Sequence, residues 1–393
     1  MVKRFYAKYL DERTIHLITF LGFIFGLSIS LLTYVTSSYF KQVLESDNIG
    51  IFYIISFSII LVALFNLNKL IEGFGRARTL MTLLAAQIGV LFALQFVDIA
   101  LGGALLMMIY IILFSVIWVV FDIVLEAYST DGDTGRIRGL FLSVWNLGFL
   151  VGPMISVYLL QHYGFDGIFV VTMILYVIMF LAIFIALNDV KGHVKRQDLS
   201  LKKTIKIFKN NPSLIKSYWM SITLRFFYAV MTIYMPLYLR EIGLSWTEIG
   251  LIFTVMLVPF VLVEYPAGVL ADKKYGEKEM LFIGLLIVII SITVMYIVGD
   301  ATFTFWMTIL FISRIGAALM ESMQDSYFYK QINENDVALI NFFRSTRAVA
   351  YILSTILIGI ILFIFKDTTT IFYVLFSVLL IGFYPIITLK DTK

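Results

Sequence analysis

Long apolar blocks constrain the fold of this chain more than any other feature of its sequence. Twelve blocks run through its 393 residues, at about 15–39, 50–67, 80–98, 104–128, 139–161, 166–187, 214–239, 247–270, 279–298, 302–326, 337–364 and 370–389. Blocks of about 20 residues match the thickness of a bilayer. Lipid offers no partner to backbone polar groups, so spans of this length must be helices. The blocks predict an all-α integral membrane protein with twelve transmembrane helices.

The composition agrees with a lipid environment and excludes several functional classes. Hydrophobic residues make up 61% of the chain and charged residues 14%, whereas soluble domains are about a quarter charged. The chain has no cysteine, and its net charge of +4 is too small and too scattered for a nucleic-acid surface. Hydrolase, metalloprotease and phosphate-loop motifs are missing from the sequence. We therefore predict no enzymatic activity, no cofactor and no bound metal.

The basic residues of the connections predict the orientation in the membrane. Most of these lysines and arginines lie in connections on the side of the N-terminus, whereas the opposite connections hold only Lys41, Arg240 and Lys366. Cytoplasmic loops carry the excess of lysine and arginine in membrane proteins. Both termini are therefore predicted to be cytoplasmic, in a multi-pass protein of the cell membrane.

A polar linker divides the chain into two sets of six spans. Residues 1–187 form the first predicted bundle, 188–213 the linker and 214–393 the second bundle. In the linker, Leu199, Leu201, Ile205 and Phe208 recur at helical spacing against Lys202, Lys203, Lys206 and Lys209. This pattern predicts a basic amphipathic helix, suited either to the inner headgroup layer of the membrane or to a solvated connector.

An internal repeat relates the two sets of spans. Tyr34 recurs as Tyr234, Gly50 as Gly250, Leu70 as Leu270 and Glu72 as Asp272, all at an offset of 200 residues. A constant offset over this distance indicates duplication. Because six is an even number of spans, both halves enter the membrane from the same side. The sequence thus predicts two six-helix bundles that are parallel repeats.

The connections after the second and eighth blocks carry the most specific motif. The later copy reads GVLADKKYGEK at 268–278, and the earlier copy reads NKLIEGFGRAR at 68–78. In each copy an acid ends the helix and a glycine turns the chain into a cationic run. The copies resemble the G-x-L-A-D-R-x-G-R-K signature of the major facilitator superfamily of secondary transporters. The matching positions are Glu72, Gly75, Arg76, Gly268, Asp272 and Gly276, and we expect Gly268 to allow close helix packing.

A second motif lies on the fifth span. Gly139, Gly148 and the pair Gly152–Pro153 are spaced like the antiporter motif of drug/proton exchangers, but its last two glycines are replaced by Ser156 and Val157. An ordinary kinked, closely packed membrane helix would show the same pattern. The fourth span lacks the arginine of these exchangers, and the sugar-porter signature after the sixth span is missing. The subfamily therefore stays open.

The resemblance implies a gate at the cytoplasmic side. In the family, the acid between spans 2 and 3 holds the start of span 11, and its repeat partner holds the start of span 5. Glu72 is therefore expected near the start of span 11 and Asp272 near Arg136 and Arg138. A carboxylate at a helix N-terminus is favoured by the helix dipole. The predicted gating set comprises Glu72, Gly75, Arg76, Gly268, Asp272, Gly276, Arg136, Arg138, Arg344, Arg347, Gly148, Gly152 and Pro153.

Ionisable residues inside spans are costly in lipid, so they mark candidate functional positions. Arg225 and Arg314 fall near the middle of spans 7 and 10, where a transported solute would bind. Asp122, Glu126, Glu264 and Glu321 fall in the cytoplasmic third and are candidates for proton coupling. Both arginines are expected to face the central cavity. The alternative is that each reaches an acid such as Glu264 or Glu321, in ion pairs that lock the helices together.

Neutral side chains complete the predicted substrate site. Tyr34, Trp145, Asn146, Tyr228 and Tyr234 could line the cavity beside the two arginines. Together these features predict a monomeric transporter that moves a small organic molecule by alternating access. Export in exchange for protons is the preferred version, and uptake of an anionic metabolite is the alternative. A non-transporting membrane sensor or a scramblase with the same fold is a further alternative.

Overall fold

The computed structural model describes residues 2–46, 48–128, 134–186, 201–271, 276–298, 302–332 and 337–389. Within these ranges the chain forms helices joined by short turns, as the apolar blocks predict. The helices before the linker are α1 (Val2–Thr33), α2 (Thr36–Leu44), α3 (Gly50–Phe74), α4 (Arg76–Leu94), α5 (Ala100–Tyr128) and α6 (Thr134–Ala186). An all-helical membrane fold is therefore confirmed.

Eleven further helices follow from the linker onward. They are α7 (Leu201–Asn210), α8 (Pro212–Ile233), α9 (Met235–Glu241), α10 (Trp246–Leu262), α11 (Glu264–Leu270), α12 (Glu277–Val298), α13 (Phe303–Lys330), α14 (Val337–Arg344), α15 (Thr346–Phe365), α16 (Thr370–Ile381) and α17 (Phe383–Ile387). Several spans thus consist of two helices in succession.

The long helix α6 contains two spans. Eleven stretches of the described chain are long and apolar enough to cross a membrane, and one of them, Phe141–Ile185, has 45 residues. At ~1.5 Å per residue such a helix would measure roughly twice the hydrocarbon thickness of a bilayer. Gly164 interrupts it with a φ of 65° and a ψ of −162°. Counted as two spans on either side of Gly164, this stretch completes the predicted twelve.

Helix breaks fall at matching places in the two halves of the sequence. The first span breaks between α1 and α2 at Tyr34, and the seventh breaks between α8 and α9 at Tyr234. Pro236 stands in the first turn of α9, where its missing N–H costs no hydrogen bond. These breaks keep the 200-residue offset that the sequence repeat predicts.

Left-handed backbone conformations repeat in the same way. Six described residues have a positive φ, and they form three pairs in corresponding connections: Glu45 with Gly243, Gly75 with Gly276, and Gly164 with Lys366. Gly75 and Gly276 have φ angles of 85° and 84°, which a residue without a side chain adopts at little cost. Each donates its N–H to a carbonyl four or five residues earlier, that of Ile71 or Ala271. The turns of one half are therefore repeated in the other.

The described residues divide into two compact units. The first comprises Met1–Asp47 and Val62–Val194, and the second comprises Asn48–Leu61 and Lys195–Lys393. In the first unit α1 packs along α6, and α4 packs on α5 and α6; in the second, α8 packs on α13 and α15, and α13 packs on α10 and α12. The first part of α3 thus groups with the second unit. The predicted boundaries at 187 and 213 stay a prediction.

Small residues allow α1 and α6 to approach closely. A Cβ at Gly148 would collide with the carbonyl oxygen of Phe23, and a Cβ at Gly152 would collide with Ser30. The hydroxyl of Ser30 donates to the carbonyl oxygen of Phe149 at 2.6 Å. Gly148 and Gly152 of the motif therefore serve close packing of α6 on α1, the common way in which membrane helices associate. In the second unit, Gly284 and Gly316 bring α12 and α13 together in the same manner.

The linker helix α7 packs against other helices of the second unit. Phe208 lies in an apolar cluster with Leu214, Phe328, Leu339 and Phe343. Its ring lies 4.6 Å from that of Phe342, measured between centroids. The lysines of α7 are exposed. The sequence predicts that α7 lies in the headgroup layer or in solvent. Its contact with other helices of the protein was not predicted.

Substituting Gly148 by alanine tests the α1–α6 packing. The added Cβ forces the Phe23 carbonyl away, so we expect Gly148→Ala to lower the free energy of unfolding by about 1–3 kcal/mol. Gly89→Ala is the matched control, because no described atom lies within 4 Å of its Cβ position. Thermal unfolding in detergent measures both variants. Equal midpoints for the two would contradict the packing role of Gly148.

Candidate functional site

An ion pair between α8 and α13 forms the centre of the candidate site. Nη2 of Arg225 lies 3.0 Å from Oε1 of Glu321, and the exposed fractions of the two side chains are 26% and 25%. The hydroxyl of Tyr228 donates to Oε2 of Glu321 at 2.8 Å. Arg225 and Tyr228 are three residues apart on α8 and therefore share one helix face. Both oxygens of the carboxylate are thus engaged by α8.

Aromatic rings hold a second arginine beside this pair. Arg314 is 3% exposed, and its guanidinium carbon lies 4.8 Å from the ring centroid of Phe227 and 5.6 Å from that of Tyr228. Arg225 lies 5.6 Å from the same Tyr228 ring. Cation–π contacts of this kind contribute about 2 kcal/mol where water is excluded. Tyr228 therefore connects both arginines to Glu321.

Further charged residues adjoin the pair from α13 and α15. Asp325, one turn after Glu321, interacts electrostatically with Arg225, and Arg347 does so with Arg225 and Glu321. Arg347 also lies 5.8 Å from the ring centroid of Tyr351. We call Arg225, Arg314, Arg347, Glu321 and Asp325 the arginine–carboxylate cluster. With every member ionised, it carries three positive and two negative charges.

The pairing of Arg225 bears on the two sequence-based expectations for this residue. The sequence predicts that Arg225 faces a cavity, because the acids within the spans fall about a helical turn nearer the cytoplasm, and it leaves a pair with an acid such as Glu321 as the alternative. Arg225 does pair with Glu321, and its position at a cavity stays a prediction. The helices α8 and α13 pack directly, and the long arginine side chain bridges the difference of one turn, about 5.4 Å. The depth of a residue in its span, read from the sequence, does not show how far its side chain extends toward a neighbouring helix.

The other acids predicted for coupling lie elsewhere. Asp122 belongs to α5 in the first unit, where its side chain is half-buried. The side chains of Glu126 and Glu264 lie outside the described residues. No group of three or more metal-ligating side chains occurs within the described part of the chain. The candidate site is therefore built around Glu321.

The neutral residues predicted for the substrate site separate into the two units. Tyr34, Trp145 and Asn146 belong to the first unit, where Trp145 lies 4.8 Å from Trp118 and 5.2 Å from Phe149 between ring centroids. Tyr228 joins the arginine–carboxylate cluster, and Tyr234 is buried at the break between α8 and α9. The roles of the residues outside the cluster stay predictions.

The predicted gating residues have varied surroundings. Gly75, Gly276, Gly148 and Gly152 occupy turns or close contacts; Pro153 is buried in α6, Arg76 begins α4 and Arg344 ends α14. No described atom lies within 4 Å of a Cβ built at Gly268, so the close packing expected there is not seen among the described residues. Arg347 lies in the cluster. Asp272 and the side chains of Glu72, Arg136 and Arg138 lie outside the described residues, so the gate contact stays a prediction.

Three residues of this neighbourhood were not among the residues predicted from the sequence. Asp325 falls inside the tenth apolar block, four residues after Glu321, so its place on the same face was readable from the sequence. Phe227 and Phe57 carry no such signal. The Phe57 ring lies 4.2 Å from that of Tyr351, a contact between residues distant in sequence. Only the packing of the helices reveals it.

Comparison with known proteins identifies the fold. The Major Facilitator Superfamily model matches residues 18–345 and 235–392. The nucleoside transporter NupG, solved as a point mutant, superposes with a TM-score of 0.77 at 13% identity, covering 95% of this chain and 98% of that one. A bacterial homologue of the human lysosomal transporter Spinster, solved inward-facing and unoccupied, gives 0.70 at 10% identity, covering 96% and 93%.

These comparisons differ in what they establish. At such identities the two solved structures show the fold alone. No curated protein matches the chain significantly in sequence. The family model covers well over half of the chain, and its members are transporters without enzymatic activity. The chain therefore belongs to the major facilitator superfamily, as a multi-pass membrane protein and secondary transporter.

Proposed function

We propose that this transporter is coupled to protons and that Glu321 carries the coupling proton. The observation that supports this role is the half-buried ion pair of Glu321 with Arg225. A carboxylate inside a membrane span is costly unless it is paired or protonated, so Glu321 has two alternative states, one ionised and paired with Arg225 and one neutral. Coupling of transport to protons requires a group that changes between two such protonation states.

Protonation of Glu321 changes the contacts between α8 and α13. The ionised carboxylate attracts Arg225 and accepts the hydroxyl proton of Tyr228. A protonated carboxyl loses the charge that attracts Arg225, which is then available to another anion. The protonation state of Glu321 would thus determine whether Arg225 pairs with Glu321 or binds a solute. Alternating access, the mode of transport in this superfamily, can use that switch.

Asp122, Glu126 and Glu264 remain alternative coupling residues. We favour Glu321 because its carboxylate has an ion pair with Arg225 and a hydrogen bond from Tyr228. Of the two transport modes expected from the sequence, export in exchange for protons and uptake of an anion, the pairing of the acid with arginine favours the second. A cationic solute would have to displace Arg225 from Glu321 beside two further arginines.

We further propose that the protein is a monomer of the cell membrane. Its loop charges support an orientation with both termini cytoplasmic. The absence of cysteine allows a direct test, because each variant then holds a single thiol. Lys206 on α7 and Lys366 between α15 and α16 are both exposed. We expect Lys366→Cys to react with a membrane-impermeant maleimide in intact cells. Lys206→Cys should react only after permeabilisation, and the reverse pattern would contradict the orientation.

Proteoliposomes test the coupling role of Glu321. A pH dye trapped inside reports which solutes of a metabolite library move protons, and a labelled form of such a solute then reports its accumulation. We expect Glu321→Gln to abolish accumulation driven by a proton gradient while solute exchange without a gradient persists. Asp122→Asn is the comparison variant, a carboxylate-to-amide change in the first unit. Loss of coupling in Asp122→Asn but not in Glu321→Gln would move the role to Asp122.

A double-mutant cycle tests the ion pair itself. We expect Arg225→Met and Glu321→Gln to be non-additive by roughly 0.5–3 kcal/mol in the free energy of unfolding, because each change removes the partner of the other. Arg240 provides the control, since it bonds to the Leu244 carbonyl at the far end of this span. Arg240→Ala and Glu321→Gln should be additive to within about 0.5 kcal/mol. Additivity in the first pair would contradict the contact.

A further inference from the structure

The arginine–carboxylate cluster has an excess of positive charge in a membrane-spanning region. Its three guanidinium groups face two carboxylates, and Tyr228 and Tyr351 adjoin them as neutral hydroxyls. We propose that this site binds an organic monoanion, with a carboxylate as its charged group and a flat apolar body. The proposal rests on the proposed function, because it assumes that the same site carries the solute.

The charged end of the solute fits Arg225. Among the described residues this guanidinium makes one ion pair, through Nη2, and about a quarter of its side chain is exposed. A guanidinium has five N–H donors in a planar fork, which matches the two oxygens of a carboxylate. A solute carboxylate would therefore take the place that Glu321 occupies in the ligand-free site.

Arg314 adds a second positive charge next to the Tyr228 ring that Arg225 also contacts, and the aromatic rings nearby give the site its apolar part. The Arg314 guanidinium carbon lies 4.8 Å from the ring centroid of Phe227 and 5.6 Å from that of Tyr228. The Phe260 ring lies 6.0 Å from that of Tyr228, and the Phe57 ring lies 4.2 Å from that of Tyr351, measured between centroids. Aromatic rings next to two arginines suit a planar or hydrocarbon body that carries one anionic group.

Charge balance then connects the solute with the proton. Glu321 interacts with Arg225 and Tyr228 on α8 and with Arg347 on α15. Of the other nearby groups, Arg314 acts on Tyr228, and Asp325 and Tyr351 act on Arg225. From α12, Glu277 pairs with Lys330, and the Glu264 side chain on α11 lies outside the described residues. One proton on Glu321 raises the cluster charge by one, and one monoanion restores it. Proton and anion therefore bind together and move in the same direction.

Matched solutes test this substrate class. Three sets serve as probes: phenylacetate, phenylacetamide and phenethylamine; indole-3-acetate, indole-3-acetamide and tryptamine; and hexanoate, hexanamide and hexylamine. The full-length protein in nanodiscs is titrated with each, and its thermal unfolding midpoint gives the affinity. We expect carboxylates to bind at least about tenfold more tightly than their amide and amine counterparts. If no carboxylate exceeds its counterparts, the proposal is overturned.

Variants locate the binding. We expect Arg225→Gln and Arg314→Ala each to weaken the best carboxylate by about tenfold or more. Arg314→Lys keeps the charge but loses the planar fork and should fall in between. Arg240→Ala is the matched control, an arginine 5.2 Å from the Trp246 ring and outside the cluster, and should leave the affinity unchanged. Undiminished affinity in both Arg225→Gln and Arg314→Ala would overturn the proposal.

A measurement on the unmodified protein tests the proposal even if the variants fail to fold. Adding the best carboxylate to the protein in weak buffer should make it take up about one proton per anion bound near neutral pH. Selective carboxylate binding without proton uptake would support the substrate class and contradict coupling through Glu321. Proton uptake triggered by an amine or an amide, with carboxylates inert, would support coupling and overturn the substrate class.

Discussion

A charge inside a bilayer needs a partner from the protein, and the second unit is organised around this requirement. Arg225 on α8 and Glu321 on α13 form an ion pair, and the Tyr228 hydroxyl donates a hydrogen bond to the second oxygen of the carboxylate. Removing one member leaves the other as an uncompensated charge in a medium of low dielectric constant. The packing of α8 on α13 and the state of Glu321 are therefore linked, so a proton on one side chain acts on the contact between two helices.

In the first unit, the described contacts between α1 and α6 are made by small residues and hydroxyl groups. Between α1 and α6, Gly148 and Gly152 admit the opposing backbone, and the hydroxyls of Ser30 and Ser156 donate to carbonyl oxygens across the interface. Ser156 stands where the exchanger motif has a glycine, and its bond to Leu31 shows what the replacement does. Lipid provides no hydrophobic drive between helices, so contact area and hydroxyl bonds hold this pair together.

The sequence predicted the elements well and their partners less well. The lengths of the apolar blocks predicted the spans, because they depend on local chemistry, and the helix breaks at Tyr34 and Tyr234 fall at the 200-residue offset of the sequence repeat. The pairing of Arg225 with Glu321 depends on which helices adjoin and how far a side chain reaches, and neither is encoded locally. The docking of Phe208 failed to emerge for the same reason. Its pattern showed an apolar face but not the surface that covers it.

Corresponding positions in the two halves show how a duplicated scaffold can acquire one charged site. At the repeat offset of 200, Arg225 corresponds to Phe25. Trp118 lies 18 residues after Ala100, the first residue of α5, and Glu321 lies 18 residues after Phe303, the first of α13. Phe25 and Trp118 stack at 6.0 Å between centroids, where the second half has its ion pair. An aromatic pair cannot respond to a proton, so this pair of positions can contribute coupling only in the second half.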